Sequence, residues 1–393
     1  MLSNLRIVRP DAGPAAREHV LPALAEPGGH DDLSRNVYGL LGVPVDAIRF
    51  PELLGAMGTA AATNSPFLIS TPNVNFLVKS QENAEFRETM LLSDLCLVDG
   101  MPLIWIAKLL GIPIHERVAG SDLFERLKTA NEPARRLRVF LLGGAEDLVA
   151  RVGANLNAET CGLQCVGVLN PGFGTIDEMS TPQIIEVINA SDADLIAVFF
   201  GAEKAQKWLI RNHWRLRAPI RAQFGATINF EAGTVRRAPP FLRSTGFEWL
   251  WRIKEEPHLW RRYWNDGRML FRLFLTCVLP MMLSGRQVPE SATLSIRTSE
   301  DQASVTISLT GVAIAAHAAA AIDHFRNALT ARKHVIIDLS QTKLIDARFF
   351  GLFLMIRKNL AEQGIPLSFA GVGLRTRRMF RLNRFEFLLS QGV

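Results

Sequence analysis

Cysteine is scarce in this chain, with four in 393 residues. Cys161 and Cys165 form a CxxxC pair, while Cys96 and Cys277 stand apart. With no second pair and no nearby histidines, a zinc set is excluded, and buried thiols in a reducing cytosol are the expectation. A basic-then-apolar leader is also missing, so export is not expected. No apolar run reaches the roughly 20 residues that a spanning helix needs. The longest, Met269–Leu283, is broken by Arg272 and Pro280, which suits lying on a bilayer and not crossing it. There is no internal repeat and no G-x-G-x-x-G, which argues against a dinucleotide dehydrogenase.

What is present is ample. A hydrophobic content of 48% supports two compact domains at about 100 to 200 residues each, and a formal net charge of +6 favours anionic partners. Residues 1–34, rich in Ala, Pro, Gly and charge, read as a flexible tail. Over residues 35–285, short apolar runs alternate with helical stretches, the pattern of an α/β domain with a mostly parallel sheet. The runs are FLIS, LCLVDG, RVFLLGG, CVGVL, LIAVFFG and IRAQFG. Several end in small or polar residues, and ligands of parallel sheets sit outside the carboxyl ends of the strands. The polar stretch SGRQVPES then leads to a second small α/β unit, residues 289–393, expected to fold separately and to be detachable near Arg286.

Several strand tips carry candidate chemistry. STPNVNFLV sets Thr71, Asn73 and Asn75 after an apolar strand, as hydrogen-bonding groups for sugar hydroxyls or as ordinary turn formers. Asp99 follows LCLV and precedes Gly100. A partly buried carboxylate there suits a general base, with an Asp-Gly turn as the plain alternative. In HERVAGSDLFERL, Arg117 stands just before a helix start that would favour an anion. Gly143 and Gly144 offer backbone N–H groups to phosphates, or simply make a tight turn. Asp192 and Asp194 mimic a DxD metal motif, but they precede a strand and so lie at the wrong end of the sheet; no metal is expected. From Phe224 to Tyr263 six arginines stand among tryptophans, prolines and glycines, built to hold an anion or to pack arginine stems on aromatic rings. Together with Met269–Leu283, this stretch suits an interfacial segment on anionic lipid; a buried linking helix is the alternative.

RRAP, FEWLWR, EP and RRY, preceded in order by Thr-x-Asn, Asp-Gly and E-R-V-x-G-x-D, resemble the WecG/TagA/CpsF glycosyltransferases over about residues 35–265. The resemblance implies a Rossmann-like domain that moves a sugar, with inversion, from a UDP-sugar to a polyprenyl-pyrophosphate-linked saccharide. It places the protein peripherally on the inner face of the cytoplasmic membrane, in exopolysaccharide or surface-glycan assembly, with no cofactor. It implies Asp99 as base beside Thr71 and Asn73, with Arg117 facing the departing diphosphate. Gly100, Gly143, Gly144, Gly201, Lys204, Gln206 and Asn229 would hold the donor. Arg236, Arg237, Trp249, Arg252, Arg261 and Arg262, in the basic segment of about 236–285, would meet the acceptor pyrophosphate and the membrane. Two departures stand out: Ala205 and Gln206 replace the family's Gln-Glu pair, and Asn229 replaces an Asp. A decayed transferase serving as a scaffold is therefore the alternative. A nucleic-acid binder lacks any reading module.

The second unit, around HVIIDLSQTKLIDARFFGLFLMIRKNLAEQGIPLSFAGV, resembles a STAS domain. Asp346, Ala347 and Arg348 stand where phosphorylatable members carry serine after the aspartate. The resemblance then implies regulation, partner docking or self-association without a serine switch.

Overall fold

The structure is a computed structural model in which residues 31–130, 136–284 and 293–390 are described. Residues 1–30 of the expected tail and nearly all of SGRQVPES lie outside the described residues. The tail ends sooner than expected, because Leu33 is buried and Asp32 enters a buried ion cluster.

A hairpin of β1 (Val37–Leu40) and β2 (Val43–Asp46) opens the described chain. The six apolar runs then form one parallel sheet: β3 (Phe67–Ser70), β4 (Leu95–Cys96), β5 (Leu137–Leu142), β6 (Leu163–Leu169), β7 (Leu195–Val198) and β8 (Ile220–Gln223). Its order is β4-β3-β8-β7-β5-β6. The central strands are buried on both faces, as near-continuous apolar runs flanked by helices require. Their carboxyl ends converge on one cleft, the side of a parallel sheet where ligands sit.

The second unit builds a five-stranded sheet from β9 (Leu294–Glu300), β10 (Ser304–Ala313), β11 (His334–Asp338), β12 (Thr342–Ile345) and β13 (Leu367–Ala370). Only β9 pairs antiparallel. The helix Ala347–Glu362 is capped by the Asp346 carboxylate, which accepts from Phe349 N at 3.0 Å.

This unit is not a detachable appendage. Helix Ala347–Glu362 packs directly on β1, so closely that a Cβ on Gly351 would overlap the Val37 carbonyl. Arg348 donates to that carbonyl at 2.8 Å. Leu33, Val37 and Leu91 share one core with β10, β11 and this helix. At its far end, Lys358 (3% exposed) reaches Asp32 at 2.9 Å and Asp94 at 3.2 Å. Arg35 closes the cluster on Asp32 at 2.5 Å and Asp46 at 2.8 Å. Burial pushes the Lys358 ammonium down, but Asp94 and Asp32 outweigh it and hold it above the ordinary lysine range. This packing argues against the expected separability, because helix Ala347–Glu362 is covered by the same chain.

Removing one member of a buried ion cluster leaves the others uncompensated, at about 3 to 5 kcal/mol. Lys358→Met should therefore lower the urea midpoint by that equivalent, and a chain cut after Ser284 should aggregate on expression. A folded, soluble truncated protein with a wild-type midpoint would show that the contact contributes nothing.

Candidate active site

Five strand tips line a cleft of about 1110 Å³. From β3 come Thr71 and Asn73. Thr71 is buried, and its Oγ1 accepts from Gln223 Nε2 at 3.0 Å, locking the first strand tip to the end of β8. The Asn73 carbonyl oxygen accepts from Phe76 N at 3.2 Å, so its side chain caps helix Val74–Glu82 while facing the cleft. Cap and site roles coexist in that residue. Asn75, the second residue of that helix, donates to the Asp266 carboxylate.

Asp99 stands just past β4, and its N–H donates to the Pro72 carbonyl at 2.8 Å, which ties it to the Thr71–Asn73 loop. Gly100 then turns with φ +130°, a region open to glycine alone, although a side chain there would have room. Burial pushes the Asp99 carboxyl up to about 7, Arg117 opposes that, and Glu248 and Asp122 add to it. A carboxylate poised near neutrality at a strand tip can take a proton from a bound hydroxyl.

Three further helices, Met101–Leu109, Gly120–Thr129 and Ala202–Asn212, begin at the cleft without a side-chain cap. At Gly120 and Ala202 the leading N–H groups are left as donors that anionic substrate groups satisfy well, whereas in Met101–Leu109 Pro102 has no N–H and Leu103 N already donates to the Gly100 carbonyl.

The structure redistributes the arginines. Arg117 lines the cleft, but its guanidinium is bound by Asp122 and Glu248, both at 2.7 Å. It therefore sets the field around Asp99 and is not a free phosphate ligand. Arg237 is held by Asp122, Glu125 and Ser121, and lies off the cleft. Arg236 is exposed outside it, and Arg261 sits over the Trp260 ring, likewise off the lining. Arg252 lines the cleft, paired with Glu256 at 2.6 Å. Arg262 lines it over the Tyr263 ring, and Arg268, from the basic stretch before Met269, joins it. Trp249 lines the same mouth.

Of the donor candidates, Gly100, Gly144, Gly201 and Asn229 line the cleft. Gly143 does not; its φ of +92° serves the turn, where a Cβ would strike the Phe200 ring. Lys204 donates to the Gly174 carbonyl at 2.6 Å, away from the cleft. Gln206 is fully buried against Ser70 beneath the sheet tips. Asp192 and Asp194 sit before β7, tied to Arg138. The cysteines are free, with Cys96 and Cys277 buried and Cys161 and Cys165 half-buried. Gln223, Glu248 and Asp266 were missed by the sequence reading: Glu248 lies inside FEWLWR, where only the arginine and tryptophan were singled out, and Gln223 and Asp266 carry no motif of their own.

Residues 38–281 match the glycosyl transferase WecG/TagA/CpsF family, and residues 296–390 match the Mlab, STAS domain family. The chain is 25% identical over 199 residues to the N-acetylglucosaminyldiphosphoundecaprenol N-acetyl-beta-D-mannosaminyltransferase of Bacillus spizizenii, covering 51% of this chain and 75% of that protein. The protein of the same description from Bacillus subtilis is 22% identical over 196 residues, covering 50% of this chain and 74% of its own.

Because only the ionised Asp99 accepts a proton, kcat/KM for glycosyl transfer should fall as pH drops through about 7. Arg117→Met removes the charge that favours the carboxylate, so the acid limb should move to higher pH. Asp99→Asn should cost about a hundredfold or more at every pH. A pH–rate profile that is flat from 5 to 8, or an Asn variant of near wild-type rate, would rule out Asp99 as the base.

Proposed function

This chain belongs to the WecG/TagA/CpsF family of glycosyl transferases, and from that premise we propose that it transfers an N-acetylhexosamine from a UDP-sugar to a polyprenyl-diphosphate-linked saccharide, with inversion. The observation that carries this reading is Asp99, raised toward neutrality at a strand tip within a cleft large enough for two substrates. The matched Bacillus proteins are described as acting on an undecaprenyl-diphosphate-linked N-acetylglucosamine, and the cleft mouth suits an acceptor of that kind.

In this reading the acceptor hydroxyl gives its proton to Asp99 as its oxygen attacks the anomeric carbon, and UDP departs with the bonding electrons. The departing diphosphate meets the uncapped helix starts at Gly120 and Ala202, with Arg262 and Arg268 at the mouth. Fixed dipoles and arginines of this kind stabilise developing charge without a metal ion.

Ten of the seventeen exposed large apolar side chains among the described residues fall between 241 and 283. Helix Trp260–Leu273 continues through a wider turn at Phe274–Val278 into Leu279–Leu283. Leu273, Cys277, Val278 and Met281 pack into the core, while Trp264, Phe271, Leu275 and Leu283 stay exposed. One face of the segment is thus packed into the core, and the other is left for the interfacial reading. No helix among the described residues is long and apolar enough to cross a membrane. We place the exposed face, with Arg261, Arg268 and Arg272, on the inner leaflet of the cytoplasmic membrane, where anionic headgroups attract it.

The decay alternative loses its main support, because Ala205 and Gln206 lie buried off the cleft. The STAS-like unit acts as a partner within the same chain.

Incubation of the full chain with UDP-N-acetylhexosamines and a polyprenyl-diphosphate N-acetylglucosamine should yield a disaccharide lipid, and EDTA should not lower the rate. A strict requirement for Mg²⁺ or Mn²⁺, restored after chelation, would overturn the metal-free reading; no transfer with any UDP-sugar would overturn the donor class.

A further inference from the structure

Helix Trp260–Leu273 turns Tyr263, Asp266, Leu270 and Leu273 toward the protein, at the i, i+3, i+4 spacing of a buried stripe. A carboxylate on that stripe is out of place, since an unpaired buried charge costs several kcal/mol. Asp266 is 7% exposed and lines the cleft. Its one hydrogen-bonding partner among the described residues is Asn75, whose single amide nitrogen spans both carboxylate oxygens at 3.2 and 3.1 Å. Ionised, the group offers about four lone-pair sites, so it remains short of donors. Burial raises its pKa above the ordinary Asp range, and Asn75, Arg262 and Lys79 only partly offset this. Lys79 is itself paired with Glu203, and among the described residues no cation stands within ion-pair distance of Asp266.

Aromatic faces surround the same volume. Trp249 and Tyr263 line it with ring centroids 6.4 Å apart, and Trp260 and Trp264 line it too. Apolar faces with one under-satisfied acceptor make a site for a pyranose, whose C–H faces stack while its hydroxyls or N–H donate. This wall comes from the segment that also carries the exposed apolar surface, whereas the uncapped helix starts lie on the sheet side.

We infer that Asp266 and the Trp249–Tyr263 wall form the subsite that recognises the sugar of the lipid-linked acceptor, with Asp266 selecting for its hydrogen-bond donors. The inference rests on the acceptor class proposed above. A clasp holding the helix to Asn75 is a second consequence of the same geometry, and the carboxylate's spare acceptor capacity separates the two.

Binding of a short-chain polyprenyl-diphosphate N-acetylglucosamine to the full chain, with UDP saturating, tests this directly. Asp266→Asn should weaken acceptor binding about tenfold or more and leave UDP affinity unchanged. One monodeoxy acceptor, or the analogue without the N-acetyl group, should bind wild type and variant equally. Asn75→Ala, which removes the clasp and keeps the carboxylate, should preserve wild-type discrimination among these analogues. An Asp266→Asn protein that binds the acceptor as tightly as wild type would overturn the subsite and leave the transferase reading intact. Equal loss of acceptor and UDP binding, with discrimination kept, would reduce Asp266 to a clasp and overturn it too. A wild-type protein that binds UDP but not the acceptor would overturn the acceptor class, and the subsite with it.

Discussion

A cluster of five charges, with Asp32, Asp46 and Lys358 buried and Arg35 and Asp94 half-buried, ties the second unit to the strands that lead into the cleft. Three carboxylates face two cations, and the surplus negative charge is met by backbone: Asp94 accepts from Leu68 N at 2.8 Å, and Asp46 accepts from Cys96 N at 2.6 Å. Those two amides belong to β3 and β4, the strands that end at Thr71 and Asp99. The cluster thus anchors β3 near its start and β4 at Cys96, the two strands whose following loops carry Thr71 and Asp99 into the cleft. A lysine from the STAS-like unit completes it, so the second unit is part of the transferase scaffold.

The same electrostatic economy divides the arginines of the segment after β8 into two kinds. Arg237 and Arg243 meet Asp122, and Arg117 meets Asp122 and Glu248. These pairs pin the segment to helix Gly120–Thr129 and surround Asp99 with nearly balanced charge, so that burial decides its protonation. Arg262 and Arg268, which make no ion pair among the described residues, stand at the mouth beside the tryptophans. A diphosphate entering or leaving through that mouth would pass those two.

The six sheet strands were legible because each is a short apolar run ending in a small or polar residue, and burial on both faces demands that pattern. The same rule pointed to the strand tips, and Thr71, Asn73, Asp99, Gly144 and Gly201 line the cleft there. Hairpin β1–β2 and strand β12 went unread, since neither has a long run nor a clean alternation. The arginines were misjudged because a guanidinium's partner lies far away in sequence, as with Arg117 and Glu248. Lys358 reads as a solvated helix lysine and Asp32 as part of a polar tail, so the interface between the two units was invisible until their partners were brought together. Gln206 was drawn into the site by its neighbours in sequence, while the fold turns it inward against Ser70.

The central claim is a single direct displacement at the anomeric carbon, driven by one carboxylate that takes the acceptor proton. The anomeric configuration of the product, formed by the full chain from an α-linked UDP-sugar and read from the one-bond carbon–proton coupling, tests it most directly. A β-linked product is predicted. An α-linked product would require a second nucleophile or front-face attack and would contradict the account.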